Sequence, residues 1–218
     1  MRHKRYGPNL TIALITIFPW ILLFWLIVES LKSKGIFYYL DFEVQRYVRE
    51  LVNPSMRKYL ISIIKSFDRY FIISIPGVLL LFLLLKKALW KIIAFLLSIG
   101  GGAIMIIIMR KVFRGWSPIS PMWNGHIFFG FPSGHACYAM VVFGFVVYLS
   151  GEFIKSNLLK SIIVLLCASL IILMGIILIF VSYHRLSDVL GGYCAGLSWL
   201  LISILLTRTI KFFWEGEY

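Results

Sequence analysis

Phe131-Pro132-Ser133-Gly134-His135 and His184-Arg185-Leu186-Ser187-Asp188 are the two stretches that decide how this chain is read. Each sits where a long apolar run begins or ends. Imidazole and carboxylate groups are costly beside lipid, so each of them there needs a reason. Proline in a first turn is a helix-start signal. A helix start leaves backbone N–H groups free, a seat for a phosphate oxyanion. Gly134 lets a ligand approach that backbone closely. Ser133 and Gly134 are therefore candidate phosphate binders, and His135 is placed to give a proton to a leaving alkoxide. Alone, the tetrapeptide also reads as a polar helix cap beside an interfacial histidine.

His184 and Asp188 are one helical turn apart, which stacks them on one face. A carboxylate on one imidazole nitrogen fixes the tautomer and leaves the other nitrogen as nucleophile. The plainer reading is an interfacial hydrogen-bonded pair. Both motifs at one membrane face are far more specific than either alone.

That face is a membrane face by composition. The chain has 218 residues, 61% of them hydrophobic and 14% charged. A soluble domain is nearer half apolar and a quarter charged. The reading is an all-α polytopic membrane protein, with residues 1–218 forming one membrane-embedded domain. The net charge of +13 does not come as a basic stripe with interleaved aromatics, so nucleic acid is not an expected partner. Basic residues here mark cytoplasmic flanks or meet anionic lipid heads. Cys137, Cys167 and Cys194 lie in apolar runs and read as small buried hydrophobes.

Six transmembrane helices are predicted, at about 9–30, 59–85, 91–110, 132–150, 160–183 and 186–208. No small-x-small cleavage site follows the first, so it is read as a retained span. Between the first two spans, Val44, Tyr47, Val48 and Leu51 have helical spacing among charged neighbours. This predicts an extracytoplasmic amphipathic helix, ended at Asn53-Pro54, either lying on the membrane surface or packed on the bundle as a connector. Pro76-Gly77 marks a kink. Gly100-Gly101-Gly102 permits close helix contact. The flank Arg2-His3-Lys4-Arg5 puts the N-terminus inside, although the opposite loops carry about as many Lys and Arg. Both motifs and the loop from Arg110 to Gly130 then meet on the outer or periplasmic side of the cell membrane.

At this point the chain resembles the integral-membrane members of the type 2 phosphatidic acid phosphatase superfamily. That family carries KxxxxxxRP, PSGH and SRxxxxxHxxxD. Pro132-Ser133-Gly134-His135 matches the second in full, and His184 with Asp188 matches the end of the third. The six-span layout and motif order agree, so the likeness covers nearly the whole chain. Two positions depart from it. Aligned on Pro118, Arg110 stands at the family's lysine and Ser117 at its arginine. Counted back from His184, Leu178 stands at the second arginine and Ile177 at the serine. Arg114, Arg185 and Lys111 are nearby cations that could replace the lost ones.

The resemblance implies a lipid-phosphate phosphatase in which His184 attacks phosphorus to form a phosphohistidine. Asp188 would orient His184, and His135 would protonate the leaving oxygen. Ser133, Gly134, Arg110, Lys111, Arg114 and Arg185 would hold the phosphoryl oxygens. The implied partners are a phosphorylated membrane lipid and the bilayer. No cofactor is expected and the chemistry is metal-independent. His126 with His135 and His184 has no metal-ligand spacing such as HExxH. Trp116, Trp123, Phe128 and Phe129 read as an interfacial aromatic belt. A phosphotransferase using the same phosphohistidine, and an inactive phospholipid-binding relative, are the alternatives. Polyprenyl diphosphate, phosphatidylglycerol phosphate, phosphatidic acid and lipid A phosphates all fit the reading, and oligomeric state is left open.

Overall fold

In the computed structural model, the structure describes residues 10–66, 72–113 and 130–215. Apolar runs fold as helices because only internally bonded backbone is tolerated where water is absent. Among the described residues, five helices are long and apolar enough to cross a membrane: 11–32, 89–112, 134–153, 157–180 and 186–214. They comprise α1 (Leu10–Lys32), α5 (Leu89–Phe95) continued as α6 (Gly101–Val112), α7 (Gly134–Phe153), α8 (Asn157–Phe180) and α9 (Leu186–Trp214). The other helices are α2 (Ile36–Leu51), α3 (Pro54–Ser66) and α4 (Ile72–Leu85).

The second expected span, 59–85, corresponds to α3 and α4 on either side of residues 67–71, which lie outside the described residues. The described part of α4 has 14 residues, or about 21 Å of helix, against the roughly 30 Å hydrocarbon core. α3 is amphipathic and carries Arg57, Lys58 and Lys65. Length and apolarity therefore support five of the six expected spans. The last span runs on to Trp214, beyond the expected 208. Asp68, Arg69, the flank Arg2–Arg5 and the aromatic residues of the 114–129 loop also lie outside the described residues.

α7 and α9 run side by side from the same end of the bundle, and glycines let their backbones meet. A Cβ on Gly192 would lie 2.5 Å from the Ser133 carbonyl oxygen, and one on Gly196 would lie 2.6 Å from that of Cys137. Small residues are what bring membrane helices this close. α8 returns antiparallel and closes a core of Ala136, Ala139, Phe143, Cys167, Met174, Leu178 and Val189. α1 reaches the same end, where Ile27 and Val28 pack on Phe131 and Cys194. All three cysteines are buried and free.

Between α5 and α6 the chain makes a π turn at Leu96–Gly100. The Leu97 carbonyl accepts from Trp199 Nε1 at 3.0 Å. The close contact expected of the glycine triplet is thus with α9, where Gly101 and Gly102 lie against the Trp199 indole. At the far end, Glu152 binds both Lys91 and Arg208. These partly exposed pairs contribute little to stability, but they tie α5, α7 and α9 together.

α2 is amphipathic, but its bundle-facing side is not purely apolar. Asp41, Gln45 and Val48 are buried on one face, while Tyr47 and Leu51 of the expected apolar set stay exposed. Asn53 ends α2 as expected and also starts the next helix, its Oδ1 accepting from Met56 N–H at 2.8 Å.

Candidate active site

The nucleophile candidate is presented by a turn that carries no glycine. Ser182 has φ 56°, the left-handed region that few non-glycine residues occupy. It ends α8 at Phe180, before the expected residue 183. The turn is closed by Ser182 N–H donating to Ile179 O at 2.9 Å, and by Tyr183 N–H and His184 N–H donating to Leu178 O at 3.1 and 3.3 Å. Such bonds satisfy the orphan carbonyls of a helix end. Leu178, which stands where the family keeps an arginine, is fully buried in the core and serves here through its carbonyl.

His184 follows this turn and is completely buried. Its Nδ1 lies 3.6 Å from Asp188 Oδ2. That is longer than a formed hydrogen bond. Asp188 is itself held at the start of α9, where its Oδ2 accepts from Arg185 N–H at 3.0 Å.

The second motif is stapled to the first. Ser133 N–H donates to the Asp188 carbonyl at 2.9 Å. The Ser133 hydroxyl caps α7 by accepting from Ala136 N–H at 3.4 Å. The His135 and His184 rings meet edge to face, with centroids 6.4 Å apart and planes inclined at 61°. Arg110, in the last turn of α6, lies over the start of α7. A Cβ on Gly134 would sit 2.8 Å from Arg110 Nη2, so glycine is required for the guanidinium to occupy this place. Arg110 Nε is buried with no hydrogen-bond partner among the described residues. A cavity of about 200 Å³ runs from Arg110, Gly134 and His135 along the apolar side chains of Ile99, Ile106 and Val141.

Burial pushes the His184 imidazole below its ordinary value. Asp188 pulls it the other way, and the charges of His135 and Arg110 add to the push. The balance favours a neutral ring, the form that can act as a nucleophile. The Asp41 carboxyl, on α2, is pushed up to about 6, chiefly by burial. Ser187 hydrogen bonds lower it, Asp188 raises it and the Arg185 charge lowers it again.

His135, His184, Asp188, Ser133, Gly134 and Arg110 therefore gather at one end of the bundle. Arg185 is buried, and its charge acts on Asp41, whereas that of Arg110 acts on His184. Lys111 is exposed, one residue around the helix from Arg110. Arg114 and His126 lie outside the described residues. No group of three His, Cys, Asp or Glu side chains that could hold a metal occurs among the described residues. Sequence reasoning missed Asp41, Gln45 and Arg57, all of which reach the His184 turn. A buried-face reading of α2 would have flagged Asp41 and Gln45, one turn apart.

An apolar helical bundle with a buried His–Asp pair, a facing histidine and a helix start overlaid by arginine has the parts of a membrane phosphatase. Residues 111–212, just under half of the chain, match the family model described as PAP2 superfamily. Among solved structures it is similar to the first transmembrane PAP2 type phosphatidylglycerolphosphate phosphatase from Bacillus subtilis. The match covers 91% of this chain and 96% of that one, at 20% identity and a TM-score of 0.63. At that identity the likeness speaks for the fold. No curated protein matches the chain.

Proposed function

We propose that this protein hydrolyses a phosphomonoester or diphosphate of a membrane lipid at the extracytoplasmic face, through a phosphohistidine. The observation that carries this reading is the buried His184, backed by Asp188 on Nδ1 and faced by His135 across 6.4 Å between ring centroids. Asp188 holds the proton on Nδ1, which leaves Nε2 to attack phosphorus. The P–O bond to the lipid breaks as His135 gives its proton to the leaving oxygen. Water then attacks the phosphohistidine, returns a proton to His135, and frees His184 and inorganic phosphate. The α7 start and Arg110 stabilise the charge that develops on the phosphoryl oxygens. The lipid tail would lie in the cavity beside Ile99, Ile106 and Val141.

Phosphatidylglycerol phosphate is the first substrate to try, because the similar solved structure is named for it. Polyprenyl diphosphate, phosphatidic acid and lipid A phosphates complete the panel. Purified protein in detergent should release phosphate from at least one of them. A chelator should leave that release unchanged, while vanadate should inhibit it. Loss in chelator, restored by Zn²⁺ or Mg²⁺, would replace the phosphohistidine by a metal mechanism.

Leu178 in place of the family's arginine favours one rival, a lipid binder without turnover. No phosphate from any lipid in the panel, alongside retained lipid binding, would establish it. If an acceptor alcohol lipid diverts the phosphate into a new ester, the activity is phosphotransfer.

Arg185 is proposed to add a second guanidinium to the site, while Lys111 and Arg114 remain candidates. Lysine does not reproduce a bidentate guanidinium contact. Arg185→Lys should therefore lower kcat on the order of tenfold, as for the loss of a transition-state donor. Unchanged kinetics for Arg185→Lys and Arg185→Ala would remove Arg185 from the phosphate site.

A further inference from the structure

The turn that carries His184 is held from outside by the two helices that follow the first span. Asp41 of α2 receives Ser187 N–H at 2.9 Å on Oδ1 and the Ser187 hydroxyl at 2.5 Å on Oδ2. Gln45, one turn on, donates from Nε2 to the His184 carbonyl at 3.3 Å. Arg57 of α3 donates from Nη2 to the Val181 carbonyl at 2.8 Å. These contacts bridge 146, 139 and 124 residues of sequence. Together they grip the turn at its beginning, at His184 and at the first turn of α9. All three side chains lie outside the matched family region, 111–212.

The turn needs such a grip. It passes through the unfavourable left-handed conformation at Ser182, and its own bonds run back to α8. Nothing in that set fixes the His184 carbonyl or the Ser187 N–H at the head of α9. A buried carboxylate is also an expensive way merely to pack a surface helix, since an apolar residue would do so without desolvation cost. Asp41 and Gln45 are both buried and both spend their polar atoms on this one turn.

We infer that Asp41 and Gln45, assisted by Arg57, are positioning residues that hold His184 in line for attack, so that the amphipathic α2 completes a site whose reacting groups lie elsewhere in the chain. This rests on the proposed role of His184 as nucleophile. A misplacement on the order of 1 Å can cost a hundredfold in rate, so the effect belongs in kcat rather than in substrate binding.

The test uses full-length protein in detergent and the lipid phosphate that the wild type hydrolyses fastest, with His184→Ala in parallel. Asp41→Ala should lower kcat about tenfold or more while KM moves less than about threefold. Asp41→Asn can still accept from Ser187 N–H and donate to its hydroxyl, so it should recover most of the lost rate. Gln45→Leu should lower kcat about threefold or more, again with KM little changed. Thermal unfolding of each variant shows whether it is folded. If Asp41→Ala is not recovered folded, Gln45→Leu and Ser187→Ala decide by the same kcat criterion. Rates within twofold of wild type for the folded variants overturn the inference, as does Asp41→Asn being as impaired as Asp41→Ala. An active His184→Ala would instead overturn the phosphohistidine reading, so the two failures are distinguishable.

Discussion

Replacing His184 by alanine should abolish phosphate release, by a factor on the order of a thousand or more, with the bundle intact. A thousandfold loss corresponds to about 4 kcal/mol of barrier. The magnitude follows from the chemistry, because a covalent nucleophile has no bystander to replace it. Among the described residues the other imidazole is His135, whose proposed task is to protonate the leaving oxygen. The fold should survive because the backbone bonds of the turn, His184 N–H to Leu178 and His184 C=O to Gln45, do not involve the imidazole. The direct measurement is labelling of the protein with radioactive phosphate from a lipid substrate, quenched in alkaline detergent because phosphohistidine is stable to alkali and labile to acid. Wild type should trap label and His184→Ala should trap none. Turnover within a few-fold of wild type would sink the mechanism.

Arg110→Ala should cost about a hundredfold to a thousandfold in kcat, the range for removing one preorganised donor from a charged transition state. The family's cationic positions at 117 and 178 hold serine and leucine here, and Leu178 is committed to the core. Among the described residues Arg110 is the cation seated over the start of α7, with Gly134 leaving it room and its Nε still unpartnered. Arg110→Lys should restore part of the rate, since lysine offers charge without the planar fork. Lys111→Ala, exposed on the neighbouring helix face, should change kcat less than about threefold. Arg110→Ala at a third or more of wild-type rate would show that the phosphate charge is carried elsewhere.

The sequence by itself determined the chemistry-bearing pairs and the membrane class. His184 and Asp188 are one turn apart, and Pro132 starts a helix at Gly134. Spacing and turn chemistry of that kind are local, so helical geometry turns them into neighbours without help from the rest of the chain. Long uncharged runs likewise need no tertiary context to be helical in lipid. By contrast, the 59–85 stretch mixes Lys65 and Pro76 into an apolar pattern, and among the described residues length and apolarity do not by themselves support a span there.

Only the tertiary structure placed a cation over the start of α7 and revealed what holds the His184 turn. Arg110 and Lys111 are equivalent in composition. The phase of α6 against α7 seats Arg110 over Gly134 and leaves Lys111 exposed. The left-handed Ser182 has no glycine to announce it, because surrounding bonds rather than residue preference impose the conformation. Asp41, Gln45 and Arg57 looked like ordinary polar residues of surface helices. Their partners lie more than a hundred residues away in sequence, and although Asp41 and Gln45 share one face of α2, that spacing does not name a partner so far along the chain.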